Sequence, residues 1–148
     1  MNWDSYFSVI CEAVARKSPC LSRKIGAILA RDNSIVSTGY NGPPRNIPHC
    51  KGDICPRKEA GYKSGEGMHL CPAQHAEENA VSNAARIGAS TVGSTLYMNS
   101  LIPCGKCLGT LINAGIIEIV VSLPLYYDDL SRLLSENSNI KIRGFYYE

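Results

Sequence analysis

Two short stretches hold residues whose types and spacing could do chemistry: His75-Ala76-Glu77 and Pro103-Cys104-Gly105-Lys106-Cys107. One imidazole and two thiolates supply three protein ligands for zinc and leave the fourth tetrahedral position open. That is the arrangement of a catalytic metal rather than a structural one. A zinc so held brings its bound water to a pKa of about 7. Glu77 stands two residues beyond the imidazole, near the metal yet not needed as a ligand. There it can take the water's proton and deliver it to a leaving group. Alone, a C-x-x-C is more often half of a structural zinc site or a redox pair, and an H-x-E says almost nothing. Their joint occurrence carries the reading.

Periodicity shows which elements position these groups. Trp3, Phe7, Ile10 and Val14 recur at helical steps, which predicts an amphipathic helix over about residues 2–17, ended by Pro19. Residues 24–31 and 35–40 read as strands joined at Asp32-Asn33-Ser34, a hairpin. Residues 41–72 are rich in Gly, Pro, Cys and charge without a period, and a loop that long is functional or pinned by something. After it come a helix over 73–87 closed by Gly88, a strand over 94–99, and a helix over 104–114 closed by Gly115. A strand over 116–122, a helix over 125–136 with Leu130, Leu133 and Leu134 on one face, and a strand over 140–146 complete the chain. Strands alternating with helices imply parallel pairing through crossovers. The expectation is one α/β domain over residues 1–148: three α/β/α layers on a mixed five-stranded sheet, a hairpin joined to a parallel set. Each chemical motif then opens a helix, and helix N-termini favour the thiolate form of Cys104 and Cys107.

Composition sets outer bounds. The chain has 148 residues, 45% apolar and 19% charged, which excludes a disordered tail. Fifteen basic against thirteen acidic residues leave +2, too little for nucleic-acid or membrane binding by bulk charge. No apolar run approaches the ~20 residues of a bilayer span. Met1-Asn2-Trp3-Asp4 lacks a basic region followed by an apolar one, so no secretory leader is expected and the cytoplasm is the default location. Seven cysteines, an odd number, fit metal binding in a reducing compartment better than a disulfide framework.

H-x-E followed by P-C-x-x-C is the signature of zinc deaminases that act on nucleobases. From Ser18 to about Tyr127 the chain resembles the deoxycytidylate (dCMP) deaminases of the cytidine deaminase-like superfamily. The marks are Cys20 with Arg23-Lys24-Ile25-Gly26-Ala27, Gly39-Tyr40-Asn41-Gly42-Pro43-Pro44-Arg45, Pro48-His49-Cys50, and His75-Ala76-Glu77-Glu78-Asn79-Ala80. The resemblance implies zinc-dependent hydrolysis of dCMP to dUMP and ammonia, supplying thymidylate synthesis. It also implies a homo-oligomer, commonly a hexamer, activated by dCTP with Mg²⁺ and inhibited by dTTP. In the family the Gly39-Tyr40-Asn41-Gly42 stretch lines the nucleotide sites. Gly39 and Gly42 would approach a ligand or take positive φ, and Asn41 would meet the deoxyribose. Asn79 belongs near the active site by its spacing from Glu77. Arg45 either grips a phosphate or is a solvated loop arginine. Tyr126 or Tyr127 sits where the family places an aromatic near substrate, with packing as the alternative for either.

Cys11 reads as a small core residue on the first helix. Cys20, Cys50, Cys55 and Cys71 flank or interrupt the long loop and could form a second, closed structural zinc site, with His49 as an alternative ligand. His69 reads as a surface residue. Two other functions remain open. One is a deaminase of the same fold acting on a free base, nucleoside or tRNA adenosine. The other is a zinc-stabilised regulatory protein without catalysis. The intact His75, Glu77, Cys104 and Cys107 weigh against the latter, and the absence of a basic C-terminal helix weighs against tRNA.

Overall fold

The structure, a computed structural model, describes residues 1–48, 50 and 55–148. His49, the alternative zinc ligand, lies outside the described residues. Helix α1 (Trp3–Ala15) starts where Asn2 accepts the Ser5 N–H at 2.8 Å. Strands β1 (Gly26–Arg31) and β2 (Ser34–Tyr40) form the expected hairpin. Asp32 and Asn33 both take positive φ, 52° and 59°, as the primed two-residue turns that match strand twist require. The sheet order is β2-β1-β3-β4-β5, with β3 (Thr95–Leu101), β4 (Glu118–Leu123) and β5 (Lys141–Gly144) running parallel. Strand β1 is antiparallel to both β2 and β3.

Side-chain alternation along β1 divides the core in two. Ala27 and Leu29 join Leu96, Met98, Ile119 and Val121 beneath Ala76 and Ala80 of α3 (Ala76–Ile87) and Leu108 and Leu111 of α4 (Gly105–Asn113). Ile28 and Ala30 join Tyr97 and Val120 on the other face, under Phe7 and Cys11 of α1. Phe7 stacks on Tyr97 with ring centroids 4.4 Å apart. The three expected layers are present, and Cys11 is a buried core residue, as its helical position suggested.

Among the described residues of the long loop are a helical turn, α2 (Pro56–Glu59), and a 3-10 turn at Met68–Leu70, where the sequence predicted no element. Cys55 caps α2 and Pro56 opens it, which is the favoured place for proline. Helix α5 (Asp129–Glu136) begins later than periodicity implied, because Asp128 accepts the Ser131 N–H at 2.7 Å and so fixes the cap.

The expected positive φ at Gly39 and Gly42 is not found: neither is among the positive-φ glycines. Gly39 is needed for a different reason. A Cβ there would run into the backbone of Ala76 and Ala80, so its absence lets α3 lie directly on β2. Gly42 forms an isolated bridge with Gln74, donating to its carbonyl at 3.2 Å and accepting at 2.8 Å. That bridge delivers the chain to His75. No helix among the described residues is long and apolar enough to cross a membrane.

Candidate active site

His75 is the N-cap of α3 and Cys104 the N-cap of α4. Strand β3 lies between the two helices in sequence, so both starts open at the same end of the sheet, past the C-terminal end of β3. Glu78 accepts the His75 N–H at 3.1 Å and fixes the first turn of α3. The start of α4 is braced from α5. Asp128 Oδ1 accepts the Gly105 N–H at 3.1 Å, and Ser131 Oγ donates to the Pro103 carbonyl at 2.9 Å. A side chain at Gly105 would collide with Leu130, so α5 can press against the helix that presents both thiols.

His75 Nδ1 lies 3.6 Å from Cys104 Sγ and 3.3 Å from Cys107 Sγ. All three donor atoms fall within 4.8 Å of one another, the one such set among the described residues. Donors arranged tetrahedrally at about 2.0–2.3 Å from zinc would be about 3.5 Å apart, so the set fits that ion. The hydrogen bond from Cys107 carries Cys104 down to about 4, against burial. Cys107 is pushed up by the same bond and by burial. One thiol of the pair therefore ionises readily while the other keeps the proton. Contact with Cys104 lifts His75 to about 9 despite its burial.

Glu77 is 5% exposed, with Oε1 3.9 Å from His75 Nδ1. Burial raises its carboxyl above the ordinary range, opposed by its own backbone N–H, His75 and the Cys107 thiol. A buried carboxyl with few fixed partners suits proton carriage better than a structural ion pair. His75, Glu77 and Cys104 open into a cavity of about 180 Å³ that Asn41, Met98, Ile102 and Tyr127 also line. Half-exposed Tyr127 is thus the aromatic on the cavity. Tyr126 instead packs against the core, donates to Ser135 Oγ at 3.2 Å and lies under Arg132.

The other expected nucleotide contacts are mostly occupied. Asn41 lines the cavity, but its side chain accepts from the Ile25 N–H and donates to the Arg23 carbonyl, both at 2.8 Å. Asn79 donates to the Tyr40 and Gly42 carbonyls. Tyr40 does not line the cavity. Arg45 donates to Asn83 Oδ1 at 2.9 Å and lines a separate cavity with Ser37, Thr38 and Arg86. Arg45 is therefore not brought to the zinc ligands.

Cys20, Cys50, Cys55 and Cys71 all line the cavity that His75 and Glu77 share. Burial, together with Cys55 and Cys20, raises the Cys50 thiol, whereas the Lys58 backbone N–H leads the groups that lower Cys55. Cys50 and Cys55 share a hydrogen bond. The four sulfurs do not come together as a set with all donors within 4.8 Å. Arg57 and Ser100 also line this cavity without having been singled out in the sequence.

Residues 1–123 match the family described as the cytidine and deoxycytidylate deaminase zinc-binding region. A deoxycytidylate deaminase of Saccharomyces cerevisiae is 35% identical over 146 residues, which cover 97% of this chain and 45% of the yeast protein. The chain thus spans about half the length of that relative. One from Mycobacterium phage D29 is 36% identical over 124 residues, covering 80% of this chain and 93% of the phage protein. Among solved structures, the dCMP deaminase of cyanophage S-TIM5 in complex with dCMP and dUMP superposes with a TM-score of 0.74 at 22% identity. That match covers 95% of this chain and 94% of the other.

Proposed function

This chain belongs to the cytidine and deoxycytidylate deaminase family, and on that premise we propose that it hydrolyses dCMP to dUMP and ammonia. The observation that carries the reading is the buried Glu77 carboxyl beside an imidazole and two thiols at the wall of one cavity. His75, Cys104 and Cys107 would hold zinc, which supplies a Lewis acid able to bring water to a pKa of about 7. Glu77 carries the protons. Its carboxylate takes one proton from the water that adds to C4 of the cytosine and gives it to the ring nitrogen. It then takes the second from the new C4 hydroxyl and gives it to the amino group. The C4–N bond then breaks, and ammonia leaves as a neutral molecule. Met98 and Ile102 give the base an apolar wall, and Tyr127 lines the same cavity.

Further parts of the reading rest mainly on the family resemblance. Residues 1–148 act as one deaminase domain in a homo-oligomer, a hexamer by analogy. The product supplies thymidylate synthesis, dCTP with Mg²⁺ activates and dTTP inhibits. Cys20, Cys50, Cys55 and Cys71 line one cavity and Cys50 contacts Cys55, but to hold a second, structural zinc the four sulfurs would have to close in, since they do not all lie within 4.8 Å of one another. A cytoplasmic location is the expectation for a chain whose seven cysteines, an odd number, fit metal binding in a reducing compartment.

The test is ammonia release from dCMP, deoxycytidine, cytidine, cytosine and a tRNA anticodon stem-loop containing adenosine. Preference for dCMP is the expected result. Turnover of another member with none of dCMP would replace the substrate, and no turnover of any would remove the activity.

A further inference from the structure

Cys104 is held on both sides by the first turn of α5. The Pro103 carbonyl belongs to the peptide before Cys104, and it accepts from Ser131 Oγ at 2.9 Å in a buried hydrogen bond. The Gly105 N–H belongs to the peptide after Cys104. It donates to the Asp128 carboxylate, 3.1 Å from Oδ1 and 3.2 Å from Oδ2. Oδ1 also accepts the Ser131 N–H at 2.7 Å, so one carboxylate caps α5 and grips α4 at once. Ser131 is the one buried residue of α5, and Leu130 occupies the space that a Cβ on Gly105 would need. His75 is fixed differently, since its N–H donates to Glu78 of its own helix. Cys104 therefore takes its backbone orientation from a neighbouring helix. Groups that orient a metal ligand without touching the metal tune how tightly the ion is held.

We infer that Asp128 and Ser131 are positioning residues that clamp the peptides flanking Cys104, so that the first turn of α5 sets zinc affinity at the candidate active site. The inference rests on the reading of His75, Cys104 and Cys107 as the zinc ligands; the clamp itself rests on the hydrogen bonds from α5. A carboxylate suits the position because it offers acceptors to two helices, whereas an amide offers one oxygen and two N–H donors. In Asp128→Asn the oxygen can still cap α5, but the amide nitrogen meets the Gly105 N–H, donor against donor. That variant separates the capping of α5 from the hold on Cys104.

The test measures zinc affinity by competition with a chromogenic chelator, following the ion whose uptake Cys104→Ser removes. The thermal midpoint of each variant is read in the Cys104→Ser background, where that ion contributes nothing. Loss of a group that orients a ligand costs about 10–100-fold in affinity. Asp128→Asn should show a loss of that size, with a midpoint close to that of Cys104→Ser alone. Ser131→Ala should lose affinity and also lower the midpoint, since it leaves a buried carbonyl without its donor. Asn2→Ala removes the cap of α1 and should lower the midpoint with zinc affinity unchanged. If Asp128→Asn does not fold, Asp128→Ser takes its place with the same expectation, because its hydroxyl can cap α5 and is too short to serve both helices. Wild-type zinc affinity in the Asp128 variant would overturn the clamp. So would a loss of affinity that Asn2→Ala matches at an equal drop in midpoint. Ammonia release from dCMP is scored separately. Zinc held through Asp128 by a protein that leaves dCMP unchanged would support the clamp while the deaminase reading failed. Turnover of dCMP with zinc affinity indifferent to Asp128 would do the reverse. A wild type that takes up no zinc through Cys104 would overturn both.

Discussion

Asn79 Nδ2 donates to the Tyr40 carbonyl at 2.8 Å and reaches that of Gly42 at 3.3 Å, tying the first turn of α3 to the end of β2. The same turn carries His75 and Glu77, and Gly39 allows it to lie against the strand. The amide therefore braces the turn that holds Glu77 and His75. Replacing it by Leu, of similar size, takes this donor from the Tyr40 carbonyl, while that of Gly42 keeps the Gln74 N–H. Asn79→Leu should cost about 1–3 kcal/mol of stability. It should also lower kcat more than it raises KM for dCMP. A rise in KM alone would indicate direct contact with substrate.

Glu77→Gln preserves shape and removes the proton carrier. General acid–base catalysis contributes about 10²–10⁴-fold, and one carboxyl here serves several transfers, so a loss of at least ~10³ in kcat is expected. Zinc content and thermal midpoint should remain close to wild type. Near-normal turnover would take Glu77 out of the mechanism.

Metal analysis should give about two zinc ions per chain if the second site forms. Cys104→Ser should abolish activity and leave one ion with the fold intact. Cys50→Ser or Cys71→Ser should mainly reduce stability, because structural zinc contributes folding free energy. A single ion that is lost in Cys104→Ser and kept in Cys50→Ser would eliminate the second site.

Acid should loosen the join between α1 and β5. Arg143 Nη2 donates to Asp4 Oδ1 at 3.1 Å, the Tyr146 N–H donates to Oδ2 at 2.8 Å, and Arg143 Nε donates to Glu118 at 2.6 Å. Burial alone would raise the Asp4 carboxyl, but Arg143 and the Tyr146 N–H outweigh it and hold it below its ordinary value. A carboxyl depressed in the folded state adds stability that is present in full above its unfolded pKa, about 3.9, and lost as pH falls through the folded one. Urea unfolding at pH 7 and pH 3 should show that loss. Asp4→Asn should cost about 1–3 kcal/mol at pH 7 and reduce the difference between the two pH values. An unchanged difference would place the acid sensitivity elsewhere.

Regulation by nucleotides predicts sigmoidal dCMP saturation that becomes nearly hyperbolic with dCTP–Mg²⁺ and is suppressed by dTTP. Gly42 has an ordinary φ and is tied to Gln74 by two backbone hydrogen bonds, so Gly42→Ala should retain the response. Superimposable hyperbolic curves in all three conditions would show an unregulated enzyme.

The metal ligands could be read from the sequence because their chemistry needs particular side chains at helix starts, and Gly88 and Gly115 mark where those helices end. The order of elements could be read as well, since apolar periods change cleanly between helix and strand. What the amides at Asn41 and Asn79 do could not. An asparagine can face a ligand or a carbonyl, and only the tertiary placement of Arg23, Ile25 and Tyr40 decides which. The choice between Tyr126 and Tyr127 turned on the direction of a single residue before α5. Arg57 went unnoticed inside the loop, although Cys55-Pro56 is a legible helix start.

The reversal of β1 against β3 has a kinetic consequence. It brings Arg23 beside Ser100, 77 residues away, while the thiols reach His75 across 29 and 32 residues. No local segment holds even two of the zinc donors from different helices. The loop-closure entropy of all these pairings must be met before any of them is rewarded, which slows folding relative to a helical bundle of equal length. Zinc added to an unfolded chain should therefore speed refolding little, and should instead slow unfolding, since the metal would grip the chain only after the sheet has closed.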